Sequence, residues 1–117
     1  MAKVAITVNG SAPGNIFPPM ILGSSAAASG DDVIIFCCPG GAPTMVKGEL
    51  EKIQGKGLPN IVELYNGLRE LGGKVLVCEL ALDNKDLKND DFREGVEIVG
   101  ATTFVNMIKD ATITFSF

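Results

Sequence analysis

The sequence predicts an α/β domain built on a mostly parallel sheet covered on both faces. Two observations carry that prediction. Short apolar runs rich in Val and Ile are continuous rather than alternating, as strands buried on both faces require. These runs also alternate with helix-like segments, and parallel neighbours are reached only through crossovers. At 117 residues, with 46% hydrophobic and 21% charged residues, residues 1–117 are expected to form one domain around a single core.

Lys3–Val8 is the first strand, apolar at Val4, Ala5, Ile6 and Val8, and it ends at the turn pair Asn9–Gly10. A loop of Ser, Ala, Pro and Gly runs to Asn15. Pro18–Pro19 marks a helix start, because the first helical turn has no use for the missing N–H groups. That helix runs through Ile21, Leu22 and Ala26–Ala28 to a stop at Gly30. Its small residues suit close approach to the sheet or to another subunit. Val33–Cys38 is the second strand, cut by Pro39–Gly40–Gly41. Thr44–Ile53 reads as a short, irregular helix capped by Thr44 and broken at Gly55–Lys56–Gly57.

Asn60 opens the clearest helix, with Glu63 three residues on as in a capping box. Ile61, Leu64, Tyr65, Leu68 and Leu71 form one apolar stripe along it. Gly72–Gly73 ends this helix, and Lys74–Cys78 is the third strand. Asp83–Arg93 is a charged surface segment with a short helical turn, and Val96–Val99 is a short strand. Thr102–Lys109 follows as a helix with Phe104, Val105 and Ile108 inward, before the last strand, Ala111–Phe115.

Charge and composition exclude several classes. The net charge is −4 with no Lys/Arg cluster, so a nucleic-acid backbone finds no electrostatic footprint. The longest weakly polar stretch, Ile16 to Ala28, is broken by Pro18–Pro19, Gly23 and Ser24–Ser25. It falls short of the roughly 20 apolar residues that span a bilayer. The chain opens straight into a strand pattern rather than a signal peptide. Its three cysteines, two of them adjacent, make no disulfide framework and read as thiols of a reducing, cytoplasmic compartment.

Motif tests remove further chemistries. Gly55–Lys56–Gly57–Leu58–Pro59–Asn60 follows a helix and lacks a third glycine, so it is no dinucleotide fingerprint. A calcium-loop alignment starting at Asp83 puts Lys85, Leu87 and Lys88 where oxygen ligands and a glycine belong. With no histidine and no Cys-x2-Cys pair, a closed zinc site within one chain is not expected. No metal or cofactor is called for. A flavin or nucleotide held by Pro39–Gly40–Gly41–Ala42–Pro43–Thr44 has few donor side chains to support it. Peroxiredoxin-type catalysis wants an arginine beside the thiolate, and Arg69 is expected on the exposed side of its helix.

Cys78 is the residue that stands out. It closes the third strand, at the sheet edge where open α/β folds bind ligands, in a chain with no histidine. A thiolate there depends on backbone N–H groups, a helix N-terminus or a lysine such as Lys85, since Glu79 opposes ionisation. Such a thiol suits sulfur exchange better than hydrolysis, because no water has to be activated. Cys38 ends the second strand at the same edge, and a bond between adjacent Cys37 and Cys38 is strained. The competing reading is that buried cysteines are small hydrophobes. It weighs most at Cys37, less at Cys38 and least at Cys78.

With these residues in hand, the chain resembles the DsrE/DsrF-like small sulfur-transfer family. The resemblance lies in the Lys3–Val8 strand, Pro18–Pro19–Met20–Ile21–Leu22 with the Ala-rich helix, and Val33–Ile34–Ile35–Phe36. After Cys78 it continues through Gly95–Val96–Glu97–Ile98–Val99–Gly100–Ala101–Thr102, Phe104 and Asp110–Ala111. It implies a three-layer α/β/α fold on a five-stranded parallel sheet, assembly as trimers or hexamers, and a persulfide-carrying cysteine at the position of Cys78. Glu79–Leu80–Ala81–Leu82 departs from the small or polar residues and methionine common in relatives, which argues against efficient binding of an anion such as thiosulfate.

The leading expectation is a sulfur carrier or sulfurtransferase-like protein. Cys78 takes up and passes on sulfane sulfur; Asn9, Gly10 and Cys38 wall the site; donor and acceptor proteins are the partners. The alternative is a non-catalytic oligomeric binding or scaffold module of the same fold, with Cys78 inertly packed.

Overall fold

The computed structural model describes residues Met1–Phe117. At its centre lies a wholly parallel sheet of β1 (Lys3–Val8), β2 (Asp32–Cys37), β3 (Lys74–Cys78), β4 (Val96–Val99) and β5 (Ile113–Ser116). The strand order is β4-β3-β2-β1-β5. Four helices accompany it: α1 (Pro13–Ala28), α2 (Ile61–Glu70), α3 (Leu80–Asn84) and α4 (Ala101–Met107).

The strand order decides which face each helix covers. From β1 to β4 the chain steps across the sheet in one direction, so right-handed crossovers put α1, α2 and α3 on one face. The last connection jumps back to lay β5 beside β1, and its crossover puts α4 alone on the other face. The core divides accordingly. Val4, Ile6, Val8, Val33, Ile35, Cys37, Val75 and Val77 pack with Ile16, Phe17 and Met20 of α1, Tyr65 and Leu68 of α2, and Ala81 of α3. Ala5, Ile34, Phe36, Leu76 and Cys78 pack with Phe104 of α4. Successive strand residues point to opposite faces, so each buried strand feeds both clusters. The result is the three-layer α/β/α arrangement that the resemblance implies.

Several elements differ from expectation. α1 begins at Pro13, not Pro18, with Ala12 as an N-cap that makes no side-chain bond, and Pro18 and Pro19 lie inside it. Two prolines there remove ladder bonds. Burial of Ile16, Phe17, Pro19 and Met20 compensates through packing, which a local start signal does not capture. In place of a helix over Thr44–Ile53 there are two 3-10 turns, Ala42–Met45 and Leu50–Lys52, and Val46 between them forms an antiparallel bridge to Phe92. The helical turn expected within Asp83–Arg93 is the 3-10 turn Asn89–Asp91, and a further short helix, α3, precedes it and overlaps the start of that segment. In α4, Phe104 is buried as expected but Val105 is 53% exposed. Leu71 follows α2 as its C-cap and is exposed.

α2 is anchored by half of the expected capping box: the Asn60 side chain accepts from the N–H groups of Val62 and Glu63 at 3.0 and 3.1 Å, without a return bond from the Glu63 side chain. Arg69 does not point freely into solvent. Its guanidinium lies 5.7 Å from the centre of the Tyr65 ring, beside Arg93 at 4.9 Å, and against Gly95, where any Cβ would collide with it.

Candidate functional site

The register aligns Val8 of β1, Cys37 of β2, Val77 of β3 and Ile98 of β4 across the sheet. One residue further toward the carboxyl edge lie Asn9, Cys38, Cys78 and Val99. Side chains alternate, so Cys37 enters the cluster under α1 and α2, whereas Cys78 belongs to the cluster under α4 and Cys38 packs against it. The adjacent cysteines Cys37 and Cys38 therefore face opposite sides. The thiol that shares a side with Cys78 is Cys38.

Cys38 is held firmly. Its N–H donates to the Val8 carbonyl at 2.9 Å, and its own carbonyl accepts from Gly41 and Ala42 at 2.9 and 3.0 Å. The following loop presses onto the end of β1. A Cβ on Gly40 would lie 2.5 Å from the Asn9 carbonyl oxygen, and one on Gly41 would lie 2.5 Å from that of Val8, so only glycine fits. The Ser11 hydroxyl donates to the Gly40 carbonyl at 2.6 Å, and that of Thr44 donates to the Gly41 carbonyl at 2.7 Å.

Cys78 is 3% exposed. Its cluster includes Phe36 and Phe104, whose rings stack at 4.3 Å and 8°, and Val99 is its register partner on β4. Immediately beyond it the chain surfaces. The Glu79 N–H continues the ladder to the Val99 carbonyl at 2.9 Å, its carboxylate lies over Gly100, and both Glu79 and Leu80 are exposed. Burial pushes the Cys37 thiol up to about 12. Burial also raises that of Cys38, the nearby Cys78 adds to the rise, and a backbone hydrogen bond partly opposes it.

The residues expected to form one site thus separate into two groups. Cys38 and Cys78 are neighbours. Asn9 is exposed and directly follows β1, two strands and about 10 Å from Cys78 at the usual strand spacing. There it shapes the seat of Gly40, while Gly10 abuts the Asn15 side chain. The chain has four surface clefts, and none is lined by Cys38, Cys78, Asn9 or Gly10. The largest, about 560 Å³, runs from Leu50 to Glu63 at the start of α2. No three Cys, Asp or Glu side chains converge as metal ligands. The Phe36–Phe104 cover is the feature sequence reading missed. Strand alternation signals half of it, by putting Phe36 and Cys38 on one side. The other half depends on α4 being the one helix on that face.

The parallel α/β/α sheet defines the class of fold, and comparison with known proteins gives the family. The DsrE/DsrF-like family model matches residues 2–117, and the chain belongs to that family. It is 30% identical over 73 residues to the uncharacterised protein MJ0760 of Methanocaldococcus jannaschii, covering 62% of this chain and 26% of that protein. It is also 30% identical over 63 residues to the sulfur carrier protein DsrE2 of Allochromatium vinosum, covering 54% of this chain and 40% of that protein. The matches therefore span well under half the length of these curated relatives. Among solved structures, the ychN protein from Escherichia coli superposes with a TM-score of 0.80 at 22% identity over the whole of both chains. MTH1491 from Methanobacterium thermoautotrophicum, a protein of unknown function, superposes at 0.72 with 12% identity over 98% of this chain and 97% of its own. At these identities the likeness is one of fold. No helix is long and apolar enough to cross a membrane.

Proposed function

We propose that the protein is a sulfur-relay component in which Cys78 carries sulfane sulfur as a persulfide. One observation bears most of the weight: Cys78 is the last residue of the interior strand β3, at the carboxyl edge, on the side shared with Cys38. Membership of the DsrE/DsrF-like family and the likeness to a protein named as a sulfur carrier support the same reading. In the loading step the Cys78 thiolate attacks the outer sulfur of a donor persulfide. A Cys78–sulfur bond forms as the donor's S–S bond breaks, and the donor departs as a thiolate. Delivery is the same exchange run onto an acceptor thiol. The thiols line no cleft, which favours donors and acceptors that bring their own surface, as proteins do, over a small anion. Self-association as a trimer or hexamer in a cytoplasmic, reducing setting belongs to the same proposal.

The 3% exposure of Cys78 favours a second reading, a non-catalytic oligomeric module with Cys78 packed inertly. Intact mass after anaerobic incubation with polysulfide or thiosulfate separates the two. The relay reading expects a first gain of about 32 Da, whatever becomes of that sulfur afterwards, that reductant reverses and Cys78→Ser abolishes. Equal labelling of the mutant, or a thiol that reacts only after unfolding, sinks the relay.

A further inference from the structure

The persulfide reading leaves Cys38 without a task beyond walling the site. Its surroundings suit a more active one. Cys37 and Val77 are register partners, so the next residues, Cys38 just past the end of β2 and Cys78 at the end of β3, stand side by side at the carboxyl edge. Neighbouring strands lie about 4.8 Å apart, within the roughly 4.4–6.8 Å between Cα atoms that a disulfide spans. Both thiols belong to the α4 side of the sheet, so their Cβ atoms leave in the same direction. Cys38 is the more accessible of the two, half-buried where Cys78 is buried. Its backbone is fixed by hydrogen bonds at both N–H and carbonyl. The nearby Cys78 is one cause of the raised pKa of the Cys38 thiol, after burial. Cys37 is excluded from any such exchange, because it sits on the opposite face.

We infer that Cys38 is a resolving thiol that discharges a persulfide on Cys78 as hydrosulfide, closing a Cys38–Cys78 disulfide. This rests on the persulfide reading and extends it from carriage of sulfur to its reductive release. In the step, the Cys38 thiolate attacks Sγ of the protonated Cys78 persulfide. The Sγ–Sγ bond forms, the bond from Cys78 Sγ to the outer sulfur breaks, and that sulfur leaves with the bonding pair and its proton as HS⁻. The outer sulfur falls from the sulfane to the sulfide level, and the two cysteines end as one disulfide. Two equivalents of a low-molecular-mass thiol reset the pair by exchange and leave as their own disulfide. A protein with this pair releases sulfide when no acceptor is docked and passes sulfane sulfur on when one is.

The test loads reduced wild type, Cys38→Ser and Cys78→Ser anaerobically with inorganic polysulfide, desalts them, and follows intact mass and free sulfide with time. The gain in Cys38→Ser is expected to be about 32 Da and to persist, whereas wild type ends about 2 Da below its reduced mass and releases close to one sulfide per chain. Peptide mapping of wild type should find Cys38 joined to Cys78, a readout that does not depend on how any variant folds. A wild-type persulfide as long-lived as that of Cys38→Ser, with no mapped disulfide, overturns the resolving role and leaves the carrier reading standing. Failure of both wild type and Cys38→Ser to gain sulfur overturns the carrier reading, and the resolving role with it.

Discussion

Cys37 and Cys38 are neighbours in sequence and opposites in environment, and the difference is measurable. Unfolded, the Cys37 thiol ionises near 9.0, whereas in the native state it keeps its proton up to about 12. Between those values the folded state binds more protons than the unfolded one, so stability falls as pH rises through that interval. Under reducing conditions, the alkaline decline in unfolding free energy should be steeper in wild type than in Cys37→Ala. The expected difference is on the order of 1 kcal/mol per pH unit. Parallel declines in the two proteins count against a fully desolvated Cys37. In native protein at pH 8, a maleimide should therefore leave Cys37 unmodified, whereas urea exposes it to full labelling. The place of Cys78 at a strand's carboxyl end was legible in the sequence, because Lys74–Cys78 is bounded by Gly72–Gly73 and a charged residue. Its pairing with Cys38 was not, since register is a property of two strands and no local pattern within either one contains it.

At the level of elements, the strands and α2 were easier to read than the segments between them. Val33–Cys37 and Val75–Cys78 are buried on both faces, so their composition alone is diagnostic. α2 carries its own cap and stripe. α1 misled because Pro18–Pro19 is a strong local signal overridden by the packing of Ile16, Phe17 and Met20 against the sheet. α4 matters most to the proposed site, since its Phe104 shares a cluster with Cys78. Its hold on the sheet is the stack of Phe104 on Phe36, helped at its C-terminal end by Lys3, whose ammonium donates to the Met107 carbonyl at 2.9 Å and to Asp110 at 2.7 Å. Phe104→Ala should cost about 3 kcal/mol of stability, as for other buried aromatic truncations. It should also speed alkylation of Cys78 under native conditions, and the milder Phe104→Leu should fall between. Unchanged Cys78 reactivity in a destabilised Phe104→Ala would mean that α4 does not control access to the thiol.

For the whole molecule, the informative feature is the imbalance between the two faces of the sheet. α1, α2 and α3 cover one side, and α4, of seven residues, is the one helix on the other. All-parallel sheets are ordinarily covered on both. On the α4 side, Thr7 bonds to Ser116 at 3.0 Å between β1 and β5, and the edge strand β5 is exposed along its length. The strand count and parallel pairing followed from the sequence. This imbalance did not, because it comes from the late jump to β5, a long-range pairing that no local pattern encodes. Under the proposed self-association, another copy of the chain completes this lightly covered face. Val105, 53% exposed on α4, then becomes a contact residue rather than the inward residue its helix position suggested. Light scattering of the eluted protein should give a mass of three or six times the 12.3 kDa chain. Val105→Glu should shift that mass downward while leaving the reaction of Cys78 with polysulfide as it is in wild type, since the charge falls on the interface and not on the thiol. A wild-type particle of one chain at micromolar concentration would refute self-association, and an undisturbed assembly in Val105→Glu would move the interface away from α4.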